Sequence, residues 1–261
     1  MIWERIVERI EDFIRKTVSE AGADGVVVGI SGGVDSAVTA FLCQRALGSE
    51  RVLGTIMPEI GVTPQEDIED AKKVCEILGI EYKYIEINDI FELFSRKFGD
   101  SDSLAAVNIK PRIRMIINYY YANKMNRLVA GTGNKSELKV GYFTKYGDGG
   151  VDFLPIGDLY KTEVIELAKF LGVPERIVKK TPSARLWKGQ TDEGEIGISY
   201  QRLDTILKSL EMGYTKEDII KRYGIPAEDV EKVISMIEKS RHKRSLPPVA
   251  PVRGLIESFF K

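Results

Sequence analysis

Six residues, Ser31-Gly32-Gly33-Val34-Asp35-Ser36, bring two glycines, two hydroxyls and a carboxylate into one short stretch. Gly32 and Gly33 permit positive φ and close backbone approach, so successive N–H groups can converge on an anion. Ser31 and Ser36 add short hydroxyl donors. Asp35 would repel phosphate oxygens unless it binds a cation that screens them. Magnesium commonly joins one or two carboxylates to substrate phosphates. The pattern therefore predicts a seat for the pyrophosphate end of a nucleotide together with a metal. Its plain alternative is a tight turn in which Asp35 favours a helix N-terminus. Two familiar phosphate loops are excluded. Walker A fails because the chain has no Gly-Lys pair, and G-x-G-x-x-G is broken by Ser136 at 131–136 and by Ser31 and Val34 at 29–34. A second glycine loop, Ala130 to Glu137, ends on another carboxylate. Lys161 falls in the first turn of a helix, where a cation opposes the dipole and a bound phosphate would relieve the mismatch. The single histidine, His242, lies in the basic run Arg241 to Arg244 and leaves no plausible nucleophile–histidine mechanism.

The surrounding pattern must position these groups. Apolar residues at helical spacing predict a helix over 2–21. The runs GVVVGI, RVLGTIM (51–57), YKYIEI (82–87) and RLVAGT read as strands, the first with the unbroken β-branched character of a central parallel strand. Thr63-Pro64-Gln65-Glu66 predicts a capping box that opens the helix ending near Gly79. Residues 111–126 read as a helix apolar nearly all round, with three successive tyrosines suited to a subunit interface. Further helices are expected over 161–172 and 199–244, the segment 181–197 as a long loop, and SLPPVAPVRG as a proline-rich tail. The fold class is α/β: a doubly wound, mainly parallel sheet flanked by helices, with a helical C-terminal part. The organisation is one unit over 1–261, with a nucleotide-binding core near 22–180 and the remainder near 181–261. Both glycine loops then lie at the carboxyl ends of strands, where such sheets bind ligands.

The chain has 261 residues, 43% hydrophobic and 30% charged, enough for one large domain with a solvated surface. A net charge of -1 gives no electrostatic reason to expect nucleic acid. No signal peptide or membrane-length apolar run is visible, so a cytoplasmic protein is expected. Cys43 and Cys75 each lie in an apolar helical segment and read as reduced core residues.

The first loop resembles the pyrophosphate loop of the ATP pyrophosphatase superfamily, whose members adenylate a substrate and let a nucleophile displace AMP. NIKPRIRM (108–115), GTGNKSE (131–137), GYFTKYGDGGVD (141–152), PIGDLYKTEV (155–164), TPSARLWKGQTDE (181–193) and RHK (241–243) resemble, in order, the motifs of the NAD synthetases, specifically the short ammonia-dependent type. Pro111 departs from that pattern, which has a small non-proline residue there. The resemblance implies ATP-dependent amidation of deamido-NAD by ammonia, with ATP and Mg²⁺ bound. It places ATP against Gly29, Ile30, Ser31, Gly32, Gly33, Val34, Asp35, Ser36, Thr132, Lys161 and Ser183, with Asp35 and Lys161 catalytic. It places the metal on Asp35 and Glu137, and deamido-NAD against Arg112, Lys145, Asp152, His242 and Lys243. It further implies a homodimer with the substrate site near the interface, and no partner of nucleic acid or membrane. Another adenylating enzyme of the superfamily, or a non-enzymatic nucleotide-binding module, is the alternative. Segment 181–197 is the candidate lid that keeps water from the adenylate.

Overall fold

The computed structural model describes residues 2–259 of the chain. Helix α1 (Ile2–Glu20) leads to β1 (Gly25–Gly29), α2 (Val34–Leu47), β2 (Val52–Ile56), α3 (Gln65–Leu78) and β3 (Glu81–Tyr84). Then come α4 (Asn88–Phe98), the single turn α5 (Leu104–Val107), α6 (Ile109–Lys124), β4 (Arg127–Ala130) and α7 (Lys135–Val140). An irregular stretch ends at α8 (Lys161–Leu171), followed by α9 (Glu175–Val178), α10 (Asp192–Ile196) and α11 (Tyr200–Glu211). The chain continues through α12 (Lys216–Tyr223), α13 (Ala227–Lys239) and α14 (Arg253–Phe259).

The four strands pair in the order β3-β2-β1-β4, all parallel. Alternation along β1 explains how it is buried on both faces. Val26 and Val28 pack with Val7 and Ile14 of α1, Val38 of α2, Val74 of α3 and Leu167 of α8. Val27 packs on the opposite face with Leu53, Val129 and Ala122 of α6. The chain winds outward from β1 to β3 through α2 and α3, then crosses back through α6 on the other face to place β4 beside β1. The order reverses between β1 and β4, and the crevice past their carboxyl ends is the natural ligand site. A second core holds Leu203, Ile206, Ile219, Val230 and Val233 of α11 to α13 against Val140 and Tyr160.

Several local expectations are corrected. Thr63 does not cap α3: its Oγ1 accepts from the Glu59 amide at 3.0 Å, Pro64 is the N-cap residue and no side chain bonds the first turn. The helix expected over 111–126 spans Ile109–Lys124, which sets buried Pro111 in its first turn, where a missing N–H costs nothing. Segment 181–197 is not loop throughout, because Thr191 accepts from Gly194 N and opens α10. The proline-rich tail gives way to α14 at Arg253. Cys43 and Cys75 are free and buried, and burial pushes both thiols up to about 12.

Candidate active site

β1 ends at Gly29 and delivers Ile30 to Gly33 into the crevice before α2 begins. Gly32 has φ +79, and a Cβ there would lie 2.2 Å from the Asp67 carbonyl oxygen, so the position demands glycine. Gly33 does not share this conformation: its φ is -95 and ψ 163, ordinary extended backbone. The two serines knit the turn together. Ser36 Oγ donates to Gly33 O at 3.0 Å and accepts from Ser31 N at 3.2 Å, and Gly33 N donates to Ser31 Oγ at 3.3 Å. No side chain caps α2, which leaves its first N–H groups open to an anion.

The second loop makes the electrostatic centre. Asn134, fully buried, forms a capping box at α7: its Oδ1 accepts from Glu137 N at 3.0 Å, and its own N–H donates to Glu137 Oε2 at 3.2 Å. The same Asn134 donates from Nδ2 to Asp35 Oδ1 at 2.9 Å. One side chain thus fixes both carboxylates. Lys161, the first residue of α8, is 2% exposed; its Nζ pairs with Asp35 and lies 3.9 Å from Glu137 Oε1. These carboxylates answer the dipole mismatch that the sequence left open. Lys161 Nζ also lies 5.2 Å from the centre of the Tyr200 ring. Asp204 of α11 bonds Ser136 Oγ and Thr162 N, and Ser136 Oγ accepts from Lys161 N at 2.9 Å, so the C-terminal helices help set the lysine's place.

Burial opposes the Lys161 charge, yet Asp35 and Glu137 outweigh it and raise its pKa. Glu137 is pushed up to about 8, first by burial and then by Asp35, against the help of Lys161. Asp192, from the start of α10, adds a third nearby acid, also raised by burial; it accepts from Tyr200 and Tyr142 hydroxyls, each at 3.1 Å. Three carboxylates around one ammonium leave the cluster short of positive charge. No group of three or more acidic, histidine or cysteine side chains among the described residues forms a complete metal cage. Two hard oxygen donors that need a cation, facing a cavity that can admit phosphates, nevertheless fit a divalent ion completed by substrate.

A cavity of about 450 Å³ occupies the crevice. Of the residues anticipated from sequence, Gly29, Ile30, Ser31, Gly33, Val34, Asp35, Ser36, Thr132, Glu137, Lys161, Ser183 and Lys243 line it. Gly32 buttresses the loop from behind. Arg112, Lys145, Asp152 and His242 lie outside the lining, on a rim next in sequence to the lining residues Pro111, Thr144, Val151 and Lys243; Lys145 is half-buried and the other three are exposed. Three of them are linked: Arg112 donates to Lys145 O at 3.4 Å, and Lys145 Nζ donates to His242 O at 2.8 Å. Asp152 stands apart, accepting from Tyr119 Oη at 3.1 Å and from Val129 N at 2.7 Å.

Sequence reasoning missed Asn134, Asp192, Lys180, Arg114 and Asn118. Asn three residues before Glu is a capping signature that could have drawn attention to Asn134. Lys180 pairs with Asp67 and Asp70 and donates to Gly32 O at 3.2 Å, tying the glycine loop to the start of the lid. Arg114 and Asn118, one turn apart, place a polar stripe on the cavity side of α6, which corrects its reading as apolar nearly all round.

An uncapped helix N-terminus over a charged cluster, at the point where strand order reverses, defines a phosphate-binding α/β protein. The profile of the family described as NAD synthase matches residues 6–247, and the chain belongs to that family. It is 64% identical over 256 residues to a protein of Archaeoglobus fulgidus named NH(3)-dependent NAD(+) synthetase, covering 98% of this chain and 100% of that one. Among solved structures it is similar to an NMN synthetase from Francisella tularensis, with TM-score 0.85 and 35% identity over 95% of this chain and 98% of that chain. It is also similar to an NH3-dependent NAD synthetase from Campylobacter jejuni, with TM-score 0.82 and 36% identity over 96% and 100% of the two chains.

Proposed function

We propose that the chain is a ligase that amidates the nicotinate carboxylate of deamido-NAD with ammonia at the expense of ATP, in the cytoplasm, as a homodimer. A carboxylate resists nucleophiles because resonance and negative charge protect its carbon, so it must first be activated. One carboxylate oxygen attacks the α-phosphorus of ATP; the O–P bond forms as the bond to pyrophosphate breaks. Ammonia then attacks the acyl carbon of the adenylate, the carbon–oxygen bond to AMP breaks, and loss of a proton from nitrogen leaves the amide.

The open N–H groups of α2 and the Lys161 ammonium are suited to the charge that collects on departing pyrophosphate. Asp35 and Glu137 would hold Mg²⁺, which when bound screens phosphate charge. Asn134 keeps these two carboxylates in register. Ser183 and Thr132 offer hydroxyls to the nucleotide, while Lys243 in the cavity and Arg112, Lys145, Asp152 and His242 on its rim are assigned to deamido-NAD. No side chain needs to act as a covalent nucleophile.

The observation that carries this reading is the buried Lys161 held between Asp35 and Glu137 below the uncapped loop. Incubation with ATP, Mg²⁺, ammonium and deamido-NAD is expected to yield NAD and AMP in equal amounts. Replacing deamido-NAD by nicotinic acid mononucleotide, the acid corresponding to NMN, tests the product for which the Francisella relative is named. Faster turnover of the mononucleotide would move the activity to that smaller acid, and absence of AMP with both acids would overturn amidation. Glutamine in place of ammonium is expected to give no comparable turnover.

A further inference from the structure

The α6 wall of the cavity carries a cation that the assigned site residues leave unexplained. Arg114 lines the cavity one turn before Asn118. Its Nε donates to the Met57 carbonyl oxygen at 3.0 Å, which fixes the guanidinium beyond the end of β2. Among the described residues its two Nη groups donate to no acceptor, and no carboxylate lies within ion-pair reach. Glu59 and Asp148 act on it only through space. Each is occupied elsewhere: Glu59 pairs with Lys110 at 2.7 Å, and Asp148 accepts from Thr144 N at 2.9 Å. Burial lowers the pKa of Arg114, a half-buried charge without a direct anionic partner. Such a charge is costly to keep unless a ligand supplies the anion.

Two anions meet in the crevice, and the surroundings of Arg114 select between them. Lys161 and Lys180 already stand by the glycine loop, where polyphosphate would sit. Arg114 instead stands on α6 where that helix packs against the 141–152 loop, Pro111 against Gly147 and Met115 against Gly150, so it belongs to the wall that these two segments build. We propose that Arg114 receives the carboxylate of the acid substrate through its free Nη groups and thereby distinguishes that acid from the amide product. A guanidinium matches a carboxylate with two parallel, charge-assisted hydrogen bonds; a neutral amide, with one acceptor oxygen and two N–H donors, cannot reproduce them. Conversion of acid to amide then weakens the grip on the product. This inference rests on the amidation reading above.

Binding of deamido-NAD and of NAD, each without ATP, to wild type, Arg114→Met and Arg114→Lys tests it by calorimetry. Wild type is expected to favour the acid. Arg114→Met should lose affinity for deamido-NAD by about 10-fold or more, the scale of one charge-assisted pair, while NAD affinity stays within about twofold. Arg114→Lys should fall between, since a point charge lacks the fork. Equal losses for acid and amide would mean that Arg114 only braces Met57, and would overturn the proposal. So would a raised KM for ATP with an unchanged acid-to-amide ratio, which would assign the anion to a nucleotide phosphate. If Arg114→Met does not fold, the lysine variant carries the same ratio test. Failure of wild type to make NAD would count against amidation itself, whereas wild-type turnover with an unmoved ratio would count against Arg114 alone.

Discussion

Lys161 and its carboxylates are best understood as a charge balance set for a ligand. Removing the lysine leaves Asp35 and Glu137, mostly but not fully buried, facing one another. Lys161→Met is therefore expected to destabilise the protein by about 3–5 kcal/mol, the usual cost of orphaning a buried pair, in addition to losing turnover by about 10²–10³-fold. Urea unfolding and steady-state rates measure the two effects separately. Asp35→Asn should remove turnover at a smaller cost in stability, because it relieves the repulsion on Glu137. The pH dependence follows from the raised pKa of Glu137, about 8 in the fold. A carboxylic acid raised on folding stabilises the native state fully below its unfolded pKa, and that contribution is lost as pH rises through the folded value. Stability of the ligand-free protein should consequently fall between the ordinary carboxylate range and about pH 8. Glu137→Gln, which keeps an acceptor for Asn134 N, should flatten that fall in Tm while abolishing Mg²⁺-dependent turnover. A pH–Tm profile identical to wild type would show that another group dominates.

At the scale of elements, the sequence made the strands and both glycine loops legible for a physical reason. The central strands β1 and β2, buried along nearly their whole length, must be apolar nearly throughout, and a backbone that turns sharply beneath a helix needs glycine, so both leave unmistakable residue types. The edge strand β3 is largely exposed, and the strand expected over 82–87 spans only Glu81–Tyr84. Asp35 and Glu137 were legible because they stand in those loops. Arg114, Asn118 and Asp192 were not, since they sit on elements whose cavity-facing side is decided only when the helices pack. The expected box at Thr63 failed because its hydroxyl accepts instead from the Glu59 amide, four residues back in the same turn. The lid, like those cavity-facing residues, depends on packing. Its arc is held by Arg185 Nε on Asp67 at 2.8 Å and by Lys110 Nζ on Leu186 O at 2.8 Å, one anchor on each side of the cavity. Between the second anchor and α10 lies exposed Lys188, a tryptic site. Arg185→Ser, which removes one anchor, is expected to speed tryptic cleavage after Lys188, and ATP with deamido-NAD should slow cleavage in wild type. Equal cleavage rates with and without ligands would remove the lid role.

For the whole molecule, the decisive feature is that the cavity takes in only Lys243 of the residues assigned to the second substrate. Arg112, Lys145, Asp152 and His242 are on the rim, around an α6 whose outward residues Ile116 and Tyr120 are each 58% exposed. Large apolar side chains on a helix that otherwise packs tightly against β1 and β4 favour a self-complementary contact between two copies, the commonest symmetric arrangement. Such a contact would bury the outer face of α6 and bring each rim toward its partner's, leaving the glycine loop of each copy untouched. A monomer should accordingly keep its nucleotide site and lose much of its grip on the dinucleotide. Ile116→Asp with Tyr120→Asp places like charges at the centre of that contact. The double variant is expected to elute as a monomer in light-scattering chromatography, with KM for deamido-NAD raised by about tenfold, the effect of losing roughly 1.4 kcal/mol of binding. KM for ATP should remain within about threefold. A stable dimer in the variant would place the contact elsewhere. A monomer with an unaltered KM for deamido-NAD would show that each copy completes its own site, and the rim residues would then need to act within one chain.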